Sequence, residues 1–172
     1  SPSMSHLFGT DNYGRDLFAR VVHGSRNSLL VGFGAVIIGV TLGGLLGAVC
    51  GYVGGKFDAI VMRVLDSIMC IPSTMMALAI VAALGTSLMN VLIAMTISSG
   101  PRYCRIIRSS VLGVTGQTYI EAAHSCGTPD FQIILKHVLP NAIGPIIVQA
   151  TMAVGSAIIS AAGISFVGMG IQ

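Results

Sequence analysis

The sequence predicts an all-α integral membrane protein with about four transmembrane helices, and three observations carry that reading. Charged residues make up 9% of the 172-residue chain and hydrophobic residues 53%, too little charge to cover a water-soluble surface. Mean hydropathy is +0.87, and the 22 glycines follow no collagen period. The few charges are separated by long apolar gaps of membrane-spanning length. A formal net charge of only +3 leaves no general basic face for nucleic acid.

Residues 1–27 have no apolar core and carry Arg15, Arg20 and Arg26, so they do not read as a cleavable signal. They are expected to form an extracytoplasmic interfacial segment, in which Asp16 and Arg20 can pair at i, i+4. Residues 28–172 are expected to form the transmembrane domain. Its first charge gap, 27–55, holds a span near 29–50. The second gap, 67–101, is 35 residues long, too long for one helix even with tilt. Gly85-Thr86-Ser87 divides it into spans near 66–84 and 87–99, joined by a tight turn. The third gap, after His137, holds a span near 142–164.

Charge bias orients these spans. With four spans, Arg15, Arg20 and Arg26 lie on one side and six Lys/Arg (Lys56, Arg63, Arg102, Arg105, Arg108 and Lys136) on the other. Counting 67–101 as a single span changes the tally to seven against two and still leaves segment 102–141 in the cytoplasm.

In the first span Gly39, Gly43, Gly47 and Gly51, with Gly55 beyond, recur every four residues along one helix face. Apolar helices in lipid associate by close packing, so this stripe reads as a helix–helix contact, within the chain or between subunits. In the last span Gln149, Ser156 and Ser160 share a face. Polar side chains there line a solute route or hydrogen-bond between helices. Arg63 and Asp66 read as an interfacial ion pair.

Several chemistries are missing. Around Gly55-Lys56 a phosphate loop requires glycine at position 50 and serine or threonine at 57, which are Cys50 and Phe57. ATP and magnesium are therefore expected on partner chains and no cofactor on this one. His6, His23, His124 and His137 show no metal-ligand spacing, and Gly163-x-Ser165 lacks the second glycine of a nucleophile elbow. Cys50, Cys70, Cys104 and Cys126 lie in or beside apolar runs and form no CxxC pair. No catalytic or metal-binding residues are expected.

The polar stretch between Arg102 and Asn141 predicts two short helices around a glycine. Ile120–Cys126 is helical with Glu121 in its first turn, Gly127 supplies the C-terminal turn, and Thr128 caps a second helix opening on Pro129 and Asp130. Phe131, Ile134, Leu135 and Val138 form its apolar face and Pro140 ends it. Such an element suits either a membrane surface or a groove on another protein.

Glu121-Ala122-Ala123, Gly127 four residues beyond, and Leu139-Pro140 resemble the EAA signature of bacterial ABC-importer permeases of the type I fold. His137-Val-Leu-Pro-Asn141, His6-Leu-Phe-Gly-Thr-Asp-Asn-Tyr-Gly-Arg-Asp16 and Ser165-Phe-Val-Gly-Met-Gly170 are similar to blocks of its dipeptide, oligopeptide and nickel branch, closest to the second of the paired permeases. The resemblance implies a bacterial inner-membrane location, a sister permease, two ATPase subunits docked on coupling helices, and a solute-binding protein. Glu121, Ala122, Ala123, Gly127, Leu139 and Pro140 would belong to the coupling element, Glu121 either meeting a partner arginine or compensating the helix dipole. Ser160 stands where relatives often carry glutamate, and Val167 and Met169 replace leucines. Relatives have a further span at each end, so this chain is expected to be a truncated or excised piece. Dipeptides, oligopeptides, glutathione and nickel chelates are all carried in this branch. A secondary transporter or channel is the other reading, but ionisable residues for ion coupling are missing from the span centres.

Overall fold

The computed structural model describes residues 8–10 and 13–168, in which the elements are helical throughout. They are α1 (Leu17–Val53), α2 (Gly55–Met69), α3 (Ser73–Leu84), α4 (Leu88–Thr115), α5 (Thr118–Ser125), α6 (Asp130–Ile133), a π turn (Ile134–Val138) and α7 (Leu139–Phe166). α4 lies against α1, α3 and α7, and α7 also packs on α1.

α1 is apolar around most of its circumference, as a helix facing lipid or other helices must be. Its 37 residues rise about 55 Å, well beyond a bilayer core, so the predicted 29–50 span is extended by three turns at its N-terminus. Asp16 caps that end by accepting from the Phe18 amide at 3.0 Å. The preceding segment folds back onto it, with the Leu17 amide donating to the Gly9 carbonyl at 3.1 Å and Phe8 edge-on to Phe18. Asp11 and Met169–Gly170, parts of the end motifs, lie outside the described residues.

α1 and α7, the latter counted from Asp130, are each long and apolar enough to cross a membrane, and α2 with α3 qualifies only as a pair bent by 80°. The bend corrects the expectation of one helix over 66–84. Pro72 lacks an amide and steers Ile71 away from helical backbone, so α2 stops at Met69 and α3 restarts at Ser73. A second correction concerns the glycine stripe: Gly54 and Gly55 both take positive φ (+62° and +61°), which ends α1 and leaves Gly55 at the head of α2. The turn at 85–87 forms as expected. Ser87 caps α4 by accepting from the Asn90 amide, while the Asn90 side chain donates to the Leu84 and Gly85 carbonyls. α4 then runs on past residue 99, through a buried Pro101, to Thr115.

Two clusters make the core. One joins Val31, Ala35 and Val36 of α1 to Val81, Val91, Met95 and Ala157. The other lies towards the Val53 end of α1 and joins Ala48, Ile107 and Val111 to Ile120, Ile133, Val138 and Ala142. The helix–Gly–helix element is therefore rooted in the bundle.

Candidate functional site

The rooted element is an elbow whose turn is closed by the backbone. The Gly127 amide donates to the His124 carbonyl at 2.9 Å and the Thr128 amide to the Ala123 carbonyl at 3.2 Å, the paired bonds of a Schellman ending. Gly127 takes φ +75° and a Cβ there would meet nothing within 4 Å, so the glycine is required by backbone conformation and not by close approach. Ala123 and Leu139 pack against the buried cluster. Glu121, Ala122 and Pro140 are exposed.

Three details of the expected second helix change. Pro129, with no side-chain cap, takes the place assigned to Thr128. The buried stripe is Ile133, Val138 and Ala142, whereas Phe131 (71% exposed) and Leu135 (47%) point outward and Ile134 is half-buried. The π turn causes this, because it adds a residue to one turn and brings positions five apart onto a common face. Finally, Pro140 does not end the helix. The π turn closes at Val138, which leaves Pro140 in the first turn of α7, where its missing amide costs little. Asn141 donates its side-chain amide to the His137 carbonyl at 2.6 Å.

Polar links join this end of the bundle together. Arg108 of α4 grips Asp58 of α2 with two guanidinium hydrogen bonds, and Asp58 is buried. Those bonds hold the Asp58 carboxyl below its usual range, against the upward pull of burial. Asp66 pairs with Arg105, not with Arg63 as its sequence neighbourhood suggests. At the end of α1 the Tyr52 hydroxyl donates to Asp130 Oδ1 at 2.8 Å and lies 3.3 Å from His124 Nε2. Sequence reasoning missed Tyr52, Asp58 and Arg108. The only local signals were a hydroxyl-bearing aromatic ending an apolar run and acids spaced along an amphipathic helix.

The glycine stripe faces α4 within the chain. A Cβ at Gly39 would press on the Tyr103 ring, at Gly43 on the Gly100 carbonyl, at Gly47 on the Cys104 carbonyl, and at Gly51 on the Arg108 carbonyl. At Gly43, Gly47 and Gly51 the two helix backbones meet directly.

On the other side of α4 a cleft of about 670 Å³ opens between the α2–α3 bend, α4 and α7. Gln149, Ser156 and Ser160 all line it, beside Ser98, Ser99 and Arg102. Arg102 is the one charged residue among the described lining, and no carboxylate is present there. Ser98 and Ser156 donate to carbonyls of their own helices, at 3.1 and 3.4 Å. All four cysteines are free thiols, Cys50 and Cys104 buried and Cys70 and Cys126 exposed. Among the described residues no three His, Cys, Asp or Glu side chains converge as a metal site.

Residues 39–172, from the glycine stripe through the elbow to the last span, match the family described as the binding-protein-dependent transport system inner membrane component. The chain belongs to that family. The chain is 46% identical to a dipeptide transport system permease protein of Alkalihalophilus pseudofirmus, over 99% of its own length and 56% of the relative's. It is 45% identical to a probable D,D-dipeptide transport system permease protein of Escherichia coli, over 99% and 57%. A glutathione transport system permease protein of Shigella sonnei is 44% identical over 99% and 56%. The chain thus spans just over half the length of the curated relatives it matches. Family and apolar helices together make it a multi-pass membrane protein.

Proposed function

We propose that the chain forms the core of a permease subunit in an ATP-driven importer of peptides or related small solutes, placed in the bacterial inner membrane. The observation that carries this reading is the elbow, rooted by Ile120, Ile133 and Val138 yet presenting Glu121, Ala122, Phe131 and Leu135 outward at the end of the bundle. An apolar and acidic surface on a firmly anchored helix pair suits docking into a groove of another protein. The partner is an ATPase subunit, one of two, which binds the ATP and magnesium this chain has no loop to hold. A sister permease completes the pathway and a solute-binding protein delivers cargo from outside.

In this reading α1, α3, α4 and α7 cross the membrane, α2 lies along its cytoplasmic face, and segment 102–141 lies inside. Gln149, Ser156 and Ser160, with Arg102 at the inner end, line the route. The similarity to dipeptide and glutathione permeases favours peptidic cargo over the ion-coupled alternative.

The test places Ser125→Cys and Ala122→Cys in the full-length protein and crosslinks intact membranes. Both positions are expected to reach an ATPase subunit, and Gly127→Asp, strained at φ +75°, to abolish uptake while the chain still inserts. Failure of the crosslinks, or protease access to the elbow from outside the cell, rejects the docking assignment.

A further inference from the structure

We propose that Tyr52, His124 and Asp130 form a strut that fixes the direction in which the elbow pulls on α1, making them positioning residues for coupling. This rests on the docking reading above and names how the movement would leave the elbow. The geometry joins three elements at one point. Tyr52 stands in the last turn of α1, His124 near the end of α5 and Asp130 at the start of α6. The Tyr52 hydroxyl gives its proton to Asp130 Oδ1 at 2.8 Å, which leaves its lone pairs free to accept from His124 Nε2, 3.3 Å away, in the tautomer that protonates that nitrogen. The two rings stack with centroids 6.3 Å apart and planes 26° apart, and His124 Nδ1 lies 3.6 Å from Asp130 Oδ1. Both arms of the elbow are thus bound to one side chain of α1.

The apolar part of the contact with α1 sets no direction. Ile120, Ile133 and Val138 root the elbow through apolar packing, which resists separation but is non-directional. Hydrogen bonds to a single hydroxyl restrain rotation about that root. Tyr52 is also well placed to pass movement on. α1 ends one residue later, at Val53, where Gly54 and Gly55 break the backbone from α2. Force arriving at Tyr52 therefore runs up α1, whose glycine stripe bears directly on the α4 backbone. The His124 and Asp130 side chains are 48% and 70% exposed, so these bonds add little to stability, and their removal leaves the fold in place.

The experiment uses proteoliposomes holding the full-length protein with its sister permease, ATPase pair and binding protein, supplied with a defined mixture of di- and tripeptides and glutathione. Solute imported per ATP hydrolysed is the readout. Tyr52→Phe keeps the stacked ring and removes only the hydroxyl, and it is expected to lower that ratio at least about threefold with ATPase co-purification and thermal stability unchanged. Asp130→Ala has the same effect, Asp130→Asn recovers most of it by restoring an acceptor oxygen, and the Tyr52→Phe/Asp130→Ala double variant is no worse than either single change. An unchanged ratio in Tyr52→Phe, additive losses in the double variant, or a loss that merely tracks ATPase co-purification overturns the strut. Gly127→Asp separates the two readings. If it uncouples and Tyr52→Phe does not, the strut alone fails; if it too leaves coupling and ATPase binding intact, the docking reading fails.

Discussion

At the residue scale, Asp58 shows how a charge is kept in a chain that has so few. It is 8% exposed, and Arg108 meets it with the planar fork that suits a carboxylate. Removing one member strands the other, which is the costly way to lose a buried pair. Asp58→Asn is therefore expected to destabilise the detergent-solubilised protein by about 1–3 kcal/mol at neutral pH, less than the roughly 3–5 kcal/mol of a fully buried pair because Arg108 is partly solvated. The pH dependence follows from the depressed Asp58 carboxyl. Its contribution is complete above the unfolded carboxylate value of about 3.9 and disappears as pH falls through the lower folded value. Thermal unfolding of both proteins from pH 7 to 3 checks this: the gap should narrow only below about pH 4. A gap that stays constant to pH 3 excludes the ion pair as its source.

At the element scale, what was legible in the sequence was what is encoded locally. Charge gaps located α1, α3, α4 and α7, and the Gly85-Thr86-Ser87 turn falls where its residues put it because Ser87 and Asn90 satisfy the exposed backbone groups themselves. The elbow was legible for the same reason, since the Gly127 ending depends on a few neighbouring residues. Prolines were misjudged in both directions. Pro72 breaks a helix that hydropathy alone would carry through, while Pro140 is absorbed by a π turn that residue pattern does not announce. The polar links were illegible because their partners lie far apart in sequence, 72 residues for Tyr52 with His124 and 50 for Asp58 with Arg108. The glycine period declared a contact, and only the fold supplies α4 as its partner. That contact yields a test inside one helix. A Cβ at Gly47 would strike the Cys104 backbone, whereas at Gly34 it would meet only the movable end of Leu92. Both changes gain the same helix propensity. Gly47→Ala is expected to lose about 1–3 kcal/mol from overpacking, and Gly34→Ala to be neutral or mildly stabilising. Equal melting temperatures for the two variants would show that α1 and α4 are not in backbone contact.

At the scale of the whole molecule, charge is segregated. Asp58, Asp66, Arg105, Arg108, His124 and Asp130 are tied together at the end of the bundle where α1 stops, which puts segments 52–66 and 105–130 on the same side, as the orientation argument requires. The cleft extends away from that end along α7, from Gln149 to Ile164, about 22 Å at helical rise. Neutral hydroxyls and an amide line it, methionines supply adaptable apolar surface, and Arg102 gives it one positive charge with no acid among the described lining to offset it. Such a cleft attracts anions and repels cations, and the field can be measured without knowing the cargo. In the full-length protein with Cys50, Cys70, Cys104 and Cys126 replaced, Ser99→Cys puts a thiol one turn from Arg102 on the same lining. An anionic methanethiosulfonate reagent should then react faster relative to a cationic one, and Arg102→Gln should lower that ratio about three- to tenfold at physiological salt. The ratio isolates the field, because a shift in thiol acidity changes both rates alike. A ratio indifferent to Arg102 means that the guanidinium points out of the cleft, and the route would then have to be drawn through the serine face of α7 alone.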